Sequence, residues 1–324
     1  MKSRSKEAVI AEEYLWSHGR KRVLTTEEGM SAVLALCEEI NDIPYTIPQR
    51  KLIAAEELSP FSHDIAAKME KRLIYGVETF LVNHAEHNAG GVTVIYFHGG
   101  GYVNQPHYEH LALVDRIAVE SDCRAIIPLY PLAPKYTCKE SYSAIVALYK
   151  SILKTTDPAS VIFMGDSAGG GMALGLAKYL RDHDLPQPAK LILISPWLDV
   201  QCNHPEIAQR GLEEVDPMLT VNFAMAGKAW AHDLPLDDPQ VSPMYGSLKN
   251  LPPIVLYTGT REILWPDAEK FRELAREQGV DIDYREWAGM NHCFCLYPIP
   301  EAIETQNEMI EMVTHLSEEL QRRG

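Results

Sequence analysis

The chain has 324 residues, of which 46% are hydrophobic and 23% charged, as in an ordinary globular protein with one large domain or two modest ones. Its formal net charge of −15 would repel phosphate backbones and anionic lipid, so neither nucleic acid nor a membrane is expected as a partner. No apolar run is long enough for a transmembrane helix, and Met1–Glu7 leads into Glu12 and Glu13, so no cleaved signal peptide is predicted.

The first 70 residues are predicted to be mainly helical. Apolar residues follow helical spacing over Lys6–His18 and again over Met30–Ile40, the second after a Thr26-x-x-Gly29 start signal. Because this region precedes the first strand pattern, residues 1–70 are interpreted as a helical attachment to a main domain that spans 71–324.

The main domain is expected to begin with antiparallel strands at a sheet edge. Lys71–Val82 alternates apolar and polar residues, and a turn follows at His84–Gly91. The His84-x-x-His87 pair in that turn could hold a metal, but it has no further ligands nearby. We interpret it as a solvated loop and predict no metal site.

From residue 92 onwards, apolar strands alternate with helix-like stretches. This alternation predicts an α/β fold with a mostly parallel, twisted sheet and helices on both faces. The predicted strands are Val92–Phe97, Ala125–Leu129, Val161–Met164, Leu191–Ser195, Ile254–Thr258 and Ile282–Trp287, and the helices lie near 108–120, 139–153, 169–183, 266–278 and 301–322.

One connection in this pattern is far longer than the others. It runs from Asp199 to Pro243 and contains a helical stretch around Thr220–Ala231. A long connection inside a compact domain is typical of a lid or a functional insertion. Residues of about 200–243 are therefore predicted to form a cap insertion.

A serine lies in the turn between one predicted strand and the next helix. The turn is the G-x-S-x-G pentapeptide Gly165–Gly169, and this context is that of a nucleophile elbow with Ser167 at its tip. Such a turn forces the serine backbone into a strained conformation that only small neighbours tolerate. On its own the motif leaves open a glycine-rich turn with an incidental serine.

A candidate base and acid follow two later strands, in the order that an α/β-hydrolase requires. His292 follows the last predicted strand, and a serine needs such a base to take its proton. Glu262 lies where the chain leaves the preceding strand, while Asp267 lies five residues further on, at a helix start. Glu262 is favoured as the acid, and Asp267 stays open.

A glycine run follows the strand that ends at Phe97. In His98-Gly99-Gly100-Gly101-Tyr102 the glycines allow backbone amides to face a substrate, as an oxyanion hole requires. The amide of Ala168, after the serine, is expected to be another donor. Tyr102 and Asp166, beside these motifs, are predicted to contact the substrate.

The six cysteines show no metal-binding or disulfide-framework spacing, which is typical of reduced thiols in a cytoplasmic protein. They are Cys37, Cys123, Cys138, Cys202, Cys293 and Cys295. Cys293 and Cys295 closely follow His292, and we interpret them as packing residues rather than redox groups.

Together these motifs resemble the bacterial hormone-sensitive-lipase-like family of α/β-hydrolases, a group of carboxylesterases. The matching segments are His98–Tyr102, Tyr130–Pro134, Gly165–Gly170, Ser195–Asp199, Asp238–Pro243 and Gly289–His292. The resemblance, which spans about residues 92–295, implies a triad of Ser167, Glu262 and His292 and a cap built from the N-terminal helices and the insertion. It also implies an oxyanion hole formed by the amides of Gly100, Gly101 and Ala168.

Two positions depart from the pattern of that family. Pro131 stands where arginine is common, and the spacing from Leu264 to Asp267 is one residue longer than usual.

The sequence thus predicts a serine hydrolase that needs no cofactor and cleaves small-molecule esters of small to medium acyl chain. Lactone, acetyl or amide substrates remain open, and so does a homo-oligomer. A non-catalytic ligand-binding protein is a further alternative, against which the presence of His292 argues.

Overall fold

Eight strands form one sheet in the computed structural model, which describes residues 4–19, 21–67, 69–83 and 91–323. The strands are β1 (Met69–Ile74), β2 (Val77–Val82), β3 (Thr93–Phe97), β4 (Arg124–Leu129), β5 (Val161–Asp166), β6 (Lys190–Ile194), β7 (Ile254–Arg261) and β8 (Asp283–Asn291). Their order is β1-β2-β4-β3-β5-β6-β7-β8. In this order, every neighbouring pair from β4 across to β8 is parallel, whereas the edge pairs β1–β2 and β2–β4 are antiparallel. The predicted sheet is confirmed.

The helices follow the strands in the predicted alternation. They are α1 (Lys6–His18), α2 (Lys21–Leu24), α3 (Glu27–Ile40), α4 (Tyr108–Glu120), α5 (Cys138–Ile152), α6 (Ala168–Asp182), α7 (Pro205–Gln209), α8 (Leu212–Val215), α9 (Ala224–Ala231), α10 (Trp265–Glu277) and α11 (Pro300–Arg323). Short 3₁₀ turns lie at Glu56–Phe61, Pro158–Ser160, Val221–Phe223 and Phe294–Leu296. None of the helices in the described ranges is long and apolar enough to cross a bilayer.

The central strands are buried on both faces because helices cover both sides of the sheet. Along β5, Val161 and Phe163 belong to one apolar cluster, which also contains residues of α5, α6 and α10. Ile162 and Met164 belong to a second cluster, with residues of α1, α4 and α11. Since successive side chains of a strand point to opposite faces, a strand covered on both sides becomes a continuous apolar run.

The N-terminal helices start where local signals predict. Ser5 precedes α1 and accepts a hydrogen bond from the Ala8 amide at 3.0 Å. Thr26 does the same for the Gly29 amide at 3.0 Å, so α3 begins three residues before the predicted Met30.

Residues 84–90, which include the His84-x-x-His87 pair, lie outside the described residues.

The insertion after β6 is helical and meets the N-terminal helices. It contains α7, α8 and α9, and α3 packs against α9 and the 3₁₀ turn before it. The Thr220 hydroxyl donates to the Leu24 carbonyl at 2.9 Å, and the Lys21 ammonium donates to the Glu213 carbonyl at 3.0 Å. The two parts of the chain are thus joined by hydrogen bonds as well as by packing.

Two strands run further than the apolar pattern predicts. β7 continues to Arg261 and β8 to Asn291, with a register irregularity between Gly259 and Arg261. Glu262 and His292 therefore come directly after neighbouring strands, at the same edge of the sheet.

Candidate active site

Ser167 lies in a strained turn between β5 and α6. Its backbone has φ 51° and ψ −121°, a conformation that a side chain disfavours. A Cβ atom at Gly165 would lie 2.4 Å from the Gly169 oxygen, and one at Gly169 would lie 1.9 Å from the Phe97 oxygen. The two glycines of the pentapeptide are therefore required by close backbone contacts, as the elbow motif predicts.

The imidazole of His292 connects this serine to a carboxylate. Its Nε2 lies 3.0 Å from the Ser167 Oγ, and its Nδ1 lies 2.5 Å from Glu262 Oε2. Because Nδ1 faces a carboxylate, the ring proton is held there and Nε2 is free to accept the serine proton. The structure thus brings together the three side chains that the sequence predicts.

Glu262, rather than Asp267, lies against the imidazole. Glu262 is fully buried, and its Oε1 accepts hydrogen bonds from the Thr258 hydroxyl at 2.7 Å and the Gly259 amide at 2.9 Å. Asp267 is also buried, but it lies in the first turn of α10. These donors fix the Glu262 carboxylate, so that its Oε2 faces His292.

A second serine, which sequence reasoning missed, joins the acid to the base. The Ser195 hydroxyl donates to Glu262 Oε1 at 2.9 Å and accepts from the Cys293 amide at 3.1 Å. The sequence feature that could have identified Ser195 is its position directly after β6, at the sheet edge where Glu262 and His292 lie. Thr258 lies within β7, where a single hydroxyl has no distinguishing spacing.

The charges around His292 favour its protonated form. Burial lowers the pKa of His292, but the hydrogen bond and charge of Glu262, with the charges of Asp216 and Asp166, outweigh burial and raise this pKa above 6.5. The site therefore stabilises the imidazolium that forms when the base takes a proton.

The glycine loop, His98–Tyr102, lies beside the serine. Gly100 and Gly101 have φ 110° and 64°, which turns their peptide planes away from regular strand geometry. Within the described residues, neither of their N–H groups has a protein acceptor. Ala168 is the first residue of α6, where helical N–H groups have no partner in the helix.

The Asp166 carboxylate holds the glycine loop against the elbow. Its Oδ1 accepts from the Gly99 amide at 2.9 Å and the Tyr96 hydroxyl at 2.6 Å, while Oδ2 lies 3.1 Å from His110 Nε2. Burial alone would raise the pKa of Asp166, but His110 and these donors lower it to about 2. Asp166 lines the cavity, yet both oxygens are engaged with the protein instead of being free for a substrate.

The predicted substrate contact of Tyr102 does not match its position. Its ring is 1% exposed and stacks on Trp230, with centroids 4.0 Å apart. The Trp197 ring lies 5.7 Å away on a parallel plane. Tyr102 is not among the residues that line the cavity, because its ring is packed into the core against Trp230.

The serine opens into a cavity of about 390 Å³. It is lined by Ser167, His292, Gly100 and Gly101, and by residues of the N-terminal helices and the insertion. The apolar lining consists of Leu15, Leu24, Met30, Val33, Pro48, Leu52, Val103, Pro217, Met218, Leu219, Phe223 and Leu296. Such a concave, mostly apolar space with a few polar groups is typical of a small-molecule site.

The cysteines near the base are protonated thiols in the core. The six cysteines are buried and form no disulfide within the described residues, and burial raises the pKa of both Cys293 and Cys295. The Cys293 Sγ lies 3.4 Å from His292 Nε2.

Comparisons with known proteins show which family the chain belongs to. A family model described as the alpha/beta hydrolase fold matches residues 94–296. An esterase of Acinetobacter venetianus is 31% identical over 228 residues, which cover 69% of this chain and 75% of that protein.

Solved structures share the fold along nearly the whole chain. A Staphylococcus aureus protein is 27% identical and superposes with a TM-score of 0.81. The alignment covers 93% of this chain and 97% of that one. An esterase from the bacterial hormone-sensitive lipase family has the same fold at 23% identity, with a TM-score of 0.77 and coverage of 97% and 99%. The chain therefore belongs to the α/β-hydrolase fold family, as its resemblance to the hormone-sensitive-lipase-like branch predicted.

Proposed function

We propose that the protein is a serine carboxylesterase with Ser167 as nucleophile, His292 as general base and Glu262 as the acid behind it. The observation that supports this most directly is the pair of short contacts at His292, 3.0 Å to the Ser167 Oγ and 2.5 Å to Glu262 Oε2. The relative in Acinetobacter venetianus is named an esterase, which favours an ester over a lactone or an amide.

In the acylation step, His292 Nε2 takes the hydroxyl proton of Ser167 as the Oγ attacks the ester carbonyl carbon. The carbonyl electron pair moves onto oxygen, and this oxyanion accepts hydrogen bonds from the amides of Gly100, Gly101 and Ala168. When the tetrahedral intermediate collapses, the C–O bond to the alcohol breaks and the leaving oxygen takes the proton from Nε2. The acyl group stays on Ser167 as an ester.

Deacylation repeats this chemistry with water as the nucleophile. His292 removes a proton from water, the hydroxide attacks the acyl carbon, and the Ser167 Oγ leaves with the proton held by Nε2. The products are the carboxylic acid and the free enzyme, so the cycle needs no cofactor.

The cap, in this proposal, consists of N-terminal residues 1–70 and the insertion of about 200–243, attached to a catalytic domain of residues 71–324. Leu24 and Met30 from the first part, and Met218, Leu219 and Phe223 from the second, line the same cavity as the serine. A cavity of about 390 Å³ lies near the lower end of the size range of small-molecule sites. We therefore propose acyl chains of small to medium length.

Turnover of p-nitrophenyl esters, from acetate to laurate, tests the proposal. We expect Ser167→Ala to reduce kcat/KM by at least about 10³-fold on every ester, because the variant lacks the hydroxyl on which the acyl-enzyme forms. Wild type is expected to prefer the shorter chains and to be labelled by a fluorophosphonate, whereas the variant is not. The exposed Ser59→Ala is the matched control and should leave turnover unchanged. Full activity of Ser167→Ala would refute the proposed mechanism.

A further inference from the structure

A buried carboxylate in the insertion contacts the loop that carries the acid. Asp216 has no exposed surface, and its Oδ2 accepts a hydrogen bond from the Ile263 amide at 3.0 Å. Its Oδ1 accepts from the amides of Met218 at 2.8 Å and Leu219 at 2.9 Å. A buried carboxylate is costly unless it is well hydrogen-bonded, and three amide donors compensate it here.

These bonds connect two places that are distant in the sequence. Ile263 immediately follows Glu262, so its amide belongs to the same turn that carries the acid. On the other side, Pro217, Met218 and Leu219 line the cavity. One side chain thus fixes both the backbone beside the acid and a wall that faces the substrate.

The same short segment also contacts the loop of the base. The Tyr297 hydroxyl donates to the His292 carbonyl at 2.5 Å and touches the Met218 sulfur. From the N-terminal side, the Lys21 ammonium donates to the Leu219 carbonyl. The segment Asp216–Leu219 is therefore held by the acid loop, the base loop and the N-terminal helices together.

We infer that Asp216 is a positioning residue for catalysis, which holds the Glu262 turn in register with the cavity wall formed by Pro217–Leu219. This inference rests on the proposed function, since it assigns Asp216 an effect through Glu262. A shift of about 1 Å in a catalytic group can cost about 10²-fold in rate, so the Ile263 bond is expected to affect kcat.

The charge of Asp216 gives this role a distinct signature. His292 faces the carboxylates of Glu262, Asp216 and Asp166, and the thiol of Cys293 and phenol of Tyr297 lie beside it. Burial raises the pKa of Asp216, whereas the charges of His292 and Lys21 and the bound backbone amides oppose this rise and favour the carboxylate. Because a nearby negative charge favours the imidazolium, removing it lowers the pKa of His292 and moves the acid limb of kcat/KM to lower pH.

The test measures kcat, KM and the pH profile for p-nitrophenyl butyrate with wild type, Asp216→Asn and Asp216→Glu. Asp216→Asn is expected to lower kcat by about 10- to 100-fold and to shift the acid limb to lower pH. Asp216→Glu keeps the charge, so its acid limb should stay at the wild-type position although kcat falls. Glu214→Gln, which removes an exposed charge two residues away, should change neither quantity.

Thermal melts accompany the kinetics to separate positioning from stability. A stable Asp216→Asn with wild-type kcat and an unmoved acid limb would overturn the inference. Failure of both Asp216 variants to fold would also overturn it, because the carboxylate would then serve stability alone. If wild type itself lacked esterase activity, the proposed function would be wrong. If wild type were active and Asp216→Asn kept the wild-type kcat and acid limb, only the positioning role would be refuted.

Discussion

Replacement of Asp267 by asparagine is expected to stabilise the protein. Asp267 is 2% exposed, and its Oδ2 has no hydrogen-bond partner within the described residues. Burial, with the nearby charge of Asp199, raises the pKa of Asp267 to about 8, and Lys270 opposes this only in part. An asparagine of the same shape would carry no charge at any pH.

The size of the effect follows from the two protonation states. An acid whose pKa is higher in the folded protein binds more protons there, so the free energy of unfolding falls as pH rises from about 4 to about 8. Each pH unit in this window costs about 1.4 kcal/mol, which gives an upper limit of about 4 kcal/mol at pH 7. Burying an amide with few partners costs about 1–3 kcal/mol. We expect Asp267→Asn to gain about 1–3 kcal/mol at neutral pH.

Urea unfolding at about pH 4.5 and about pH 8 checks this expectation, because the gain in the free energy of unfolding should be lost or change sign at the lower pH. Glu273→Gln removes an exposed charge from the same helix and is the control for general charge effects. Esterase turnover should survive Asp267→Asn and be lost in Glu262→Gln, since only Glu262 contacts His292. A pH-independent difference between Asp267→Asn and wild type would refute the reasoning, and loss of activity in that variant would refute the choice of acid.

Two further outcomes are expected. The acid limb of the wild-type kcat/KM profile should lie above pH 6.5, because the base must be neutral to act and the pKa of His292 is raised by Glu262. A limb below that pH, measured in a buffer series, would contradict the electrostatics of the site. Ser195→Ala should lower kcat about tenfold, since Glu262 loses a donor and the Cys293 amide loses its acceptor. Ser17→Ala, at an exposed serine, is the control, and equal kcat for the two variants would show that these bonds are dispensable.

Much of the sheet could be predicted from the sequence because strand and helix patterns are local. The apolar run Val161–Met164 and the pentapeptide after it identify a buried strand and its turn without any tertiary information. The end of β8 was less visible: its pattern breaks after Trp287, and only pairing with β7 extends the strand to Asn291. His292 was still found, because a strand end within a few residues is enough to place a base.

The site partners that sequence reasoning missed are tertiary contacts between polar groups. Ser195 and Asp216 bond residues that lie far along the chain, Glu262 and Ile263, whereas Thr258 bonds Glu262 only four residues on. No spacing distinguishes these single side chains from solvated hydroxyls or carboxylates. Tyr102 illustrates the opposite error, since closeness to a motif in sequence suggested a substrate contact and the ring lies in the core instead. Glu262 and Asp267 could be separated only by which of them faces the imidazole.

The anchoring of the N-terminal helices has a consequence for how the chain matures during synthesis. Their hydrogen bonds reach partners made much later: the Ser5 hydroxyl bonds Glu301, 296 residues on, and the Leu24 carbonyl bonds Thr220, 196 residues on. Glu12 likewise pairs with Arg261 across 249 residues. At a translation rate of about 5–20 residues per second, these contacts must wait for about ten seconds or more. The N-terminal helices are thus fixed only after residues far later in the chain have been made, and the cavity acquires its full wall only when α11 has emerged.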